Sequence, residues 1–451
     1  MPRQPFVVLG KIFSMKYEYH SVKITLRGGI MKSKLKKLIS VTLIFALFLG
    51  LTAFINDETI EAAEEELDFG GETLKIGAYY DMTPDPDADE LAEAKAEQIE
   101  KIENEYNGNI EFVTIPGDYN AVYVTSVLAG DPVVDFGYIL TYNLLPSFIE
   151  GGIAYPLDDL DVFDFDSYKW REDFLESGFY KGKHYALLDK TPAVRYGIFW
   201  NKTLFEEYGL DNLYDLYEND EWTWDKFKEL AIAGNQDLDN DQEIDIYGFN
   251  ERENFAWNYI YSNGADIAQK TDSGMELNFE DPKVIEALDA YADFKQTVPH
   301  QSGWLGDWLA QIHNFRDGNV MMMLEEFWVS SGQLSEMEDD FGFVPFPKGP
   351  SAEDWSCYGK EFSPFFMLNG TKNPVVKAQM FDTYMDYAEN EEQMNEFMEV
   401  QLEAWAPDAE TVEIVKNIYE NGLVRVNPII GFTDVNQAVN EMFSNIADGS
   451  Q

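Results

Sequence analysis

Two α/β lobes are the fold this sequence predicts, and three observations predict it. Residues 73–138 set short apolar runs around a long amphipathic one in strand, helix, strand order. The connections are long enough for crossovers, which marks a mainly parallel sheet. At 451 residues the chain exceeds what one ordinary core organises. Its 45% hydrophobic content with 15% aromatics belongs to a folding, globular sequence and not to a disordered one.

Charge narrows the partners. Asp and Glu number 83 against 32 Lys and Arg, a formal net charge of −51. Such a surface repels nucleic acid and anionic lipid heads, so no phosphate-backbone partner is expected. Two readings remain, a solvated face adapted to high salt or high pH and an attractor for cationic ligands. The spread of the excess over the whole chain, with no gathering into blocks, favours the first. Cys357 is the one cysteine, which excludes an intramolecular disulfide.

Lys32, Lys34, Lys36 and Lys37 precede an apolar run from Leu38 to Ile55, broken at Ser40, Thr42, Gly50 and Thr52. A basic segment followed by a short apolar stretch has the layout of a secretory signal, with cleavage expected after Ala53 or Ala62. A retained anchor is the weaker alternative, since a spanning helix needs about 20 apolar residues. Met31 is then the natural start. Residues 1–30 read as a misassigned upstream extension, and residues 31–62 as signal peptide and short acidic leader. The expected product is secreted, extracellular or at the cell surface or periplasm.

Thr73 to Ala78 reads as the first strand and ends in Tyr79, Tyr80 and Asp81. A Pro- and Asp-rich loop follows from Met82 to Asp89. Leu91, Ile99, Ile102 and Tyr106 then mark one face of a helix. Ile110 to Ile115 gives a second strand, and another around Val133 to Phe136 leads into Tyr138 and Tyr142. Gly182 to Leu187 reads as a glycine turn and short apolar strand, and Ile198 to Trp200 as a buried strand end. Leu204, Phe205 and Tyr208 share one face of a short helix that Gly209 can close through a left-handed cap. Thr223 caps the next helix, with Lys226 where a capping box wants Glu. Asp281-Pro282 opens a helix with Val284, Ala287, Leu288, Tyr291 and Phe294 on its buried side.

Five separated segments carry a resemblance. Gly151 to Asp158 (GGIAYPLD) is similar to a "G-l-pLdd" turn. Residues 181–227 hold Asn201-Lys202-Thr203-Leu204-Phe205-Glu206-Glu207-Tyr208-Gly209-Leu210 and Trp222-Thr223-Trp224-Asp225, similar to "yNk-lfe-aGl" and "tWdef". Gly318 to Trp328 (GNVMMMLEEFW) resembles "GkaAMmidgpW", Phe341 to Gly349 (FGFVPFPKG) resembles "vaplPkg", and Asn373 to Gln393 resembles "knpeaA-efl-fl-see-q". In this order they resemble the extracellular solute-binding proteins of family 1, the sugar-binding components of ABC importers and the family of maltose-binding protein. The resemblance covers essentially all of the secreted chain. It implies a type II periplasmic-binding-protein fold, with residues 63–190 and 360–400 in the first lobe and residues 191–359 and 401–451 in the second. The chain would cross between them near 188–193, 358–364 and 400–405, and the hinge would close around a ligand in the cleft. Many relatives carry a lipid-bearing cysteine after the signal. None stands here, so no lipoprotein anchor is expected. Relatives also continue with one more helix after a glycine like Gly449, so the second lobe is expected to end slightly short.

The expected activity is capture of a carbohydrate, an oligosaccharide above all, for delivery to the permease subunits of an ABC importer, by a monomer and without catalysis. Sugars present apolar ring faces edged with hydroxyls, so a site needs aromatic plates and paired hydrogen-bonding groups. Ten Trp and 25 Tyr supply plates in such plenty that position must choose among them. Tyr79, Tyr80 and Asp81 follow the first strand, at the end where open sheets bind ligands, and Tyr138 and Tyr142 follow another. The resemblance adds Trp328 with Glu325 and Glu326 on the "gpW" loop, and Trp257, Tyr261 and Asn263 in a "w-fl-s-Gg" helix. Trp304 and Trp308 with Asp307, and Trp355 and Tyr358 beside the second crossing, complete the candidates. Arg195 faces the hinge.

Asp237, Asp239, Asp241, Glu243 and Asp245 place oxygen side chains at alternating positions, the donor type calcium prefers. Gln242 stands where an EF-hand has its turn glycine and Gly248 where it has its bidentate Glu, so this is not an EF-hand. It resembles the calcium loop of some oligosaccharide-binding family members, with a solvated acidic loop as the alternative. Catalytic signatures such as G-x-S-x-G, a P-loop and H-E-x-x-H are missing, and the four His are scattered. A secreted carbohydrate-active hydrolase and a binder of peptides or other polar solutes remain the rivals.

Overall fold

The computed structural model describes residues 67–449 except 176–177, 191–194, 253–254, 272–273, 302–306, 308, 360–361 and 422–423. The upstream extension, the signal segment, Trp304 and Trp308 lie outside the described residues. In chain order the strands that organise the fold are β1 (Thr73–Ala78), β2 (Asn109–Thr114), β3 (Phe136–Tyr138), β4 (Tyr196–Asn201), β5 (Met322–Glu326), β6 (Phe341–Pro345), β7 (Cys357–Tyr358), β8 (Phe365–Met367) and β9 (Val424–Arg425). The helices that matter for the site are α1 (Glu90–Glu105), α2 (Tyr119–Leu128), α3 (Trp224–Ala233), α4 (Phe255–Ser262), α5 (Pro282–Thr297), α6 (Pro374–Tyr384), α7 (Glu391–Trp405), α8 (Ala409–Glu420) and α9 (Thr433–Ala447).

The first sheet has the order β8-β3-β1-β2. β1 pairs in parallel with β2 and β3, as the strand, helix, strand order requires, and β8 returns antiparallel to β3. Leu74 and Ile76 point to one face, where they join Phe136, Phe365, Met367 and Phe381 in one apolar cluster. The other face packs against α2, and the Tyr123 hydroxyl donates to the Gly77 carbonyl at 2.9 Å. The second sheet, β6-β4-β5, is antiparallel throughout, and the short pair β7-β9 is parallel. β4 is buried at every residue and crosses the centre of the larger core.

Local rules place the helices. Asp89 caps α1 by accepting from the Ala92 N–H, and Leu91 and Ile102 lie buried on its inner face. Thr223 caps α3 through the Lys226 N–H even without the acidic partner. Gly209 adopts φ +66° and ends the short helix after β4, and the five apolar positions expected in α5 are its buried face.

Three expectations shift. Between 182 and 187 only Lys183–His184 pair, with Phe179–Tyr180, because Lys181 and Gly182 at φ 49° and 84° turn the chain back. Leu187 instead bridges Phe365 at the edge of the first sheet. The strand expected at 133–136 begins at Phe136, since the Asp135 carboxylate accepts from the Lys75 N–H at 2.9 Å. The 373–393 segment splits into α6 and α7, because Asn390 is extended and caps α7 by accepting from the Gln393 N–H.

Candidate functional site

The carboxyl ends of β1 and β3 carry a tyrosine cluster. Tyr79 and Tyr80, 45% and 42% exposed, meet edge to face with ring centroids 5.0 Å apart. Tyr79 lies 5.3 Å from Tyr119 and 6.2 Å from Tyr138, and Tyr80 lies 5.7 Å from Tyr138. Burial, then the neighbouring Tyr138, pushes the Tyr79 hydroxyl up to about 12. Burial also raises Tyr80 and Tyr119. Exposed Tyr142 acts electrostatically on Tyr119, which places it at the cluster's margin.

Facing this cluster is the end of β5. Glu326, the last residue of that strand, accepts from the Trp328 indole N–H and pairs with Arg195 at 3.4 Å. Arg195 and Glu326 both act on the Tyr79 hydroxyl, so the two groups share one field. Trp328 sits on the single 3-10 turn Phe327–Val329 that β5 delivers, which keeps its indole at the strand's end. Glu325 points the other way: it is 1% exposed and its carboxylate lies 3.0 Å from the Arg252 Nε.

A cavity of about 450 Å³ lies between α4 and α9. Trp257 and Tyr358, 6.0 Å apart with planes 4° from parallel, form one wall. Asn427, Asn436 and Asn440 line it with amides. These groups are held before any ligand arrives. The Trp257 indole donates to Asn440 Oδ1 at 3.0 Å, and the Asn427 amide reaches the Tyr358 hydroxyl at 3.4 Å and Asn436 Oδ1 at 3.3 Å. Tyr358 also stacks on Tyr196 of β4 at 5.6 Å, joining this wall to the strand that pairs with Glu326.

The profile of the bacterial extracellular solute-binding proteins matches residues 86–394, well over half of the chain. The chain belongs to that family. Sequence comparison with curated proteins gives no match. Among solved structures, the GacH receptor of Streptomyces glaucescens, studied unliganded and with acarbose, superposes with TM-score 0.58 at 18% identity, over 84% of this chain and 94% of its own. The cyclic alpha-maltosyl-1,6-maltose binding protein of Arthrobacter globiformis gives TM-score 0.60 at 16% identity, over 84% and 94%. An ABC substrate-binding protein of Listeria monocytogenes in complex with cycloalternan gives 0.58 at 16%, over the same shares. These likenesses establish the mixed α/β fold of type II periplasmic binding proteins.

For a solute-binding protein of this fold, the remaining sequence candidates fall in different places. Asp81 is exposed and accepts from the Thr83 N–H at 3.0 Å, which closes a turn and holds its carboxyl below the usual range. Asn263 is fully buried: its amide donates to the Lys283 carbonyl and Glu286, and its oxygen accepts from the Ser351 N–H. Tyr261 is buried and stacks beside Trp257. Trp355 packs against Tyr217 at 4.8 Å with Lys348 over its ring, and exposed Asp307 accepts from the Leu309 N–H. Sequence reasoning missed Asn427, Asn436 and Asn440. A signal for two of them exists, because Asn436, Asn440 and Ser444 recur every four residues along α9.

In the acidic loop, carboxylate oxygens of Asp237, Asp239 and Asp245 come within 4.8 Å of one another. Asp241 and Glu243 are not in that group, and Asp241 Oδ1 accepts from the Glu243 N–H at 2.8 Å. Gln242 takes φ 74°, the left-handed turn that a glycine would otherwise supply. The three grouped oxygens have the hard, anionic chemistry of a calcium ligand set.

Proposed function

We propose that this solute-binding protein captures a carbohydrate, an oligosaccharide, and presents it to the permease of an ABC importer outside the membrane. The observation that carries the reading is the cavity wall of Trp257 and Tyr358 beside Asn427, Asn436 and Asn440: ring faces for stacking and amides for paired hydroxyls. Tyr79, Tyr80 and Trp328 would supply further ring faces for a longer saccharide. The neighbours studied with acarbose and cycloalternan support the same ligand class. Residues 63–190 with 360–400 and residues 191–359 with 401–451 act as the two lobes. A ligand touching both shifts an open-closed equilibrium, and no bond is broken. Asp237, Asp239 and Asp245 would hold a calcium ion that pins their loop.

A thermal-shift screen tests this with maltotriose, maltotetraose, mannotriose, cycloalternan and a set of peptides, each with and without calcium. A ligand at about 100 times its dissociation constant stabilises by roughly 2.7 kcal/mol. The expected result is a rise with oligosaccharides, none with peptides, no released hydrolysis product, and a separate rise with calcium that a chelator reverses. Silence from every saccharide with the protein folded rejects the assignment, and a melting point indifferent to calcium rejects the metal.

A further inference from the structure

The amides in the cavity wall each have one orientation, and their partners set it. An indole N–H only donates, so Asn440 turns its side-chain oxygen to Trp257, at 3.0 Å, and keeps its NH2. A backbone N–H also only donates, so Asn427 turns its oxygen to Ile429, at 3.0 Å. The Asn427 NH2 then reaches the Tyr358 hydroxyl at 3.4 Å and Asn436 Oδ1 at 3.3 Å, which leaves Asn436 with its NH2 as well. Among the described residues, neither the Asn436 nor the Asn440 NH2 has a hydrogen-bond partner. Both residues line the cavity, one helical turn apart on α9, so their side chains are neighbours.

What the cavity offers is therefore lopsided. Its unpaired amide groups are donors, Ala256, Ile430 and Phe443 give it apolar surface, and no charged side chain lines it among the described residues. A sugar hydroxyl accepts from such donors with its oxygen but still needs an acceptor for its own hydrogen. A carboxylate has the lone pairs, yet no lining group balances its charge, and a chain of net charge −51 repels it. A neutral carbonyl oxygen has two lone pairs and no hydrogen, so it meets two NH2 groups and leaves nothing unpaired. The acetamido substituent of an N-acetylhexosamine supplies that carbonyl together with a methyl group for the apolar surface. Its own N–H has an acceptor in Ser444 Oγ, one more turn along α9, whose hydrogen goes to the Asn440 carbonyl at 3.2 Å.

We infer that the cavity is a subsite for an acetamido sugar, with Asn436 and Asn440 as the residues that select its carbonyl. This rests on the reading that the cavity takes the solute, and it narrows that solute from oligosaccharides at large to those that carry N-acetylhexosamine.

Triacetylchitotriose and cellotriose test it, because the two share one β-linked backbone and differ in the substituent at the second carbon of each ring. By calorimetry the full chain is expected to bind triacetylchitotriose about tenfold more tightly, the worth of one or two added hydrogen bonds. Asn440→Asp and Asn436→Asp each put an acceptor where the NH2 stood and keep the oxygen that Trp257 or Asn427 uses. Each is expected to bring the two affinities level or to reverse them. Far-UV circular dichroism checks that the variants fold; if neither does, the ratio in the unaltered chain decides alone. Equal affinities in the unaltered chain, or a preference that both folded variants retain, overturns the inference and leaves the carbohydrate reading standing. Binding of maltotriose or cellotriose without triacetylchitotriose does the same. Silence from every saccharide rejects both.

Discussion

The two aromatic groups of the candidate site are built in opposite ways. Tyr79 and Tyr80 stand nearly half exposed at the end of β1 and are steadied by contact with other tyrosine rings. Trp257 and Tyr358 are 1% exposed, stacked on one another and tied by hydrogen bonds to Asn440 and Asn427. The first group offers surface to a ligand at little structural cost. The second is both wall and core, so its geometry is fixed by folding before a ligand binds. Residue type alone does not separate these roles; burial and hydrogen-bond partners do.

The largest expected effect breaks the pair apart. Trp257→Ala removes a fully buried indole and leaves the Asn440 acceptor unpaired, so it should cost about 3–5 kcal/mol of stability by denaturant titration. Tyr80→Ala should stay within about 1 kcal/mol of the parent, since it opens no cavity, yet lose oligosaccharide affinity by calorimetry. If the two substitutions destabilise alike, the division into pre-built wall and exposed platform fails.

How far the sequence reached can be judged residue by residue. The inner face of α5 was legible because Val284, Ala287, Leu288, Tyr291 and Phe294 keep the helical period with a proline at its start. The strand that delivers Trp328 was legible from its apolar run and its resemblance to a family segment. Trp257 and Tyr358 were both picked out, but not as one stacked pair, because 101 positions of chain separate them and only the packing of α4 on β7 brings them together. Asn427 carried no local signal at all. Its role follows from the turn it caps and from the tyrosine it reaches. The antiparallel second sheet was equally hidden, since its strands meet through excursions far longer than any crossover.

A finer contrast lies between adjacent glutamates at the end of β5. Glu325 is buried against the partly buried Arg252, and Glu325→Ala should cost about 1–3 kcal/mol because it leaves that guanidinium without its carboxylate. Glu326 holds the Trp328 indole and Arg195 where they face Tyr79. Glu326→Gln keeps an acceptor for the indole and removes the charge opposite Arg195. It should leave the melting temperature nearly unchanged and weaken the oligosaccharide about tenfold, which is about 1.4 kcal/mol. Equal losses of stability from both would mean that the end of β5 is structural throughout.

The smallest effect is a titration, and it tests whether the exposed group is as lightly held as its surface suggests. The Tyr79 hydroxyl is pushed up to about 12 from an ordinary value near 10, first by burial and then by Tyr138. The folded protein therefore keeps this proton at pH values where the unfolded chain releases it. Its contribution to stability is fully present below pH 10 and is lost as pH rises from there through about 12. Tyr79→Phe should flatten the alkaline slope of stability in that window and remove one late-titrating phenol from the ultraviolet absorbance curve. A bound oligosaccharide covering the ring should delay that phenol further, because burial is the main cause of the shift. A Tyr79 that titrates near pH 10 with or without ligand would mean that the cluster is open to water on the face turned toward Arg195 and Glu326, and that the two groups do not share one site.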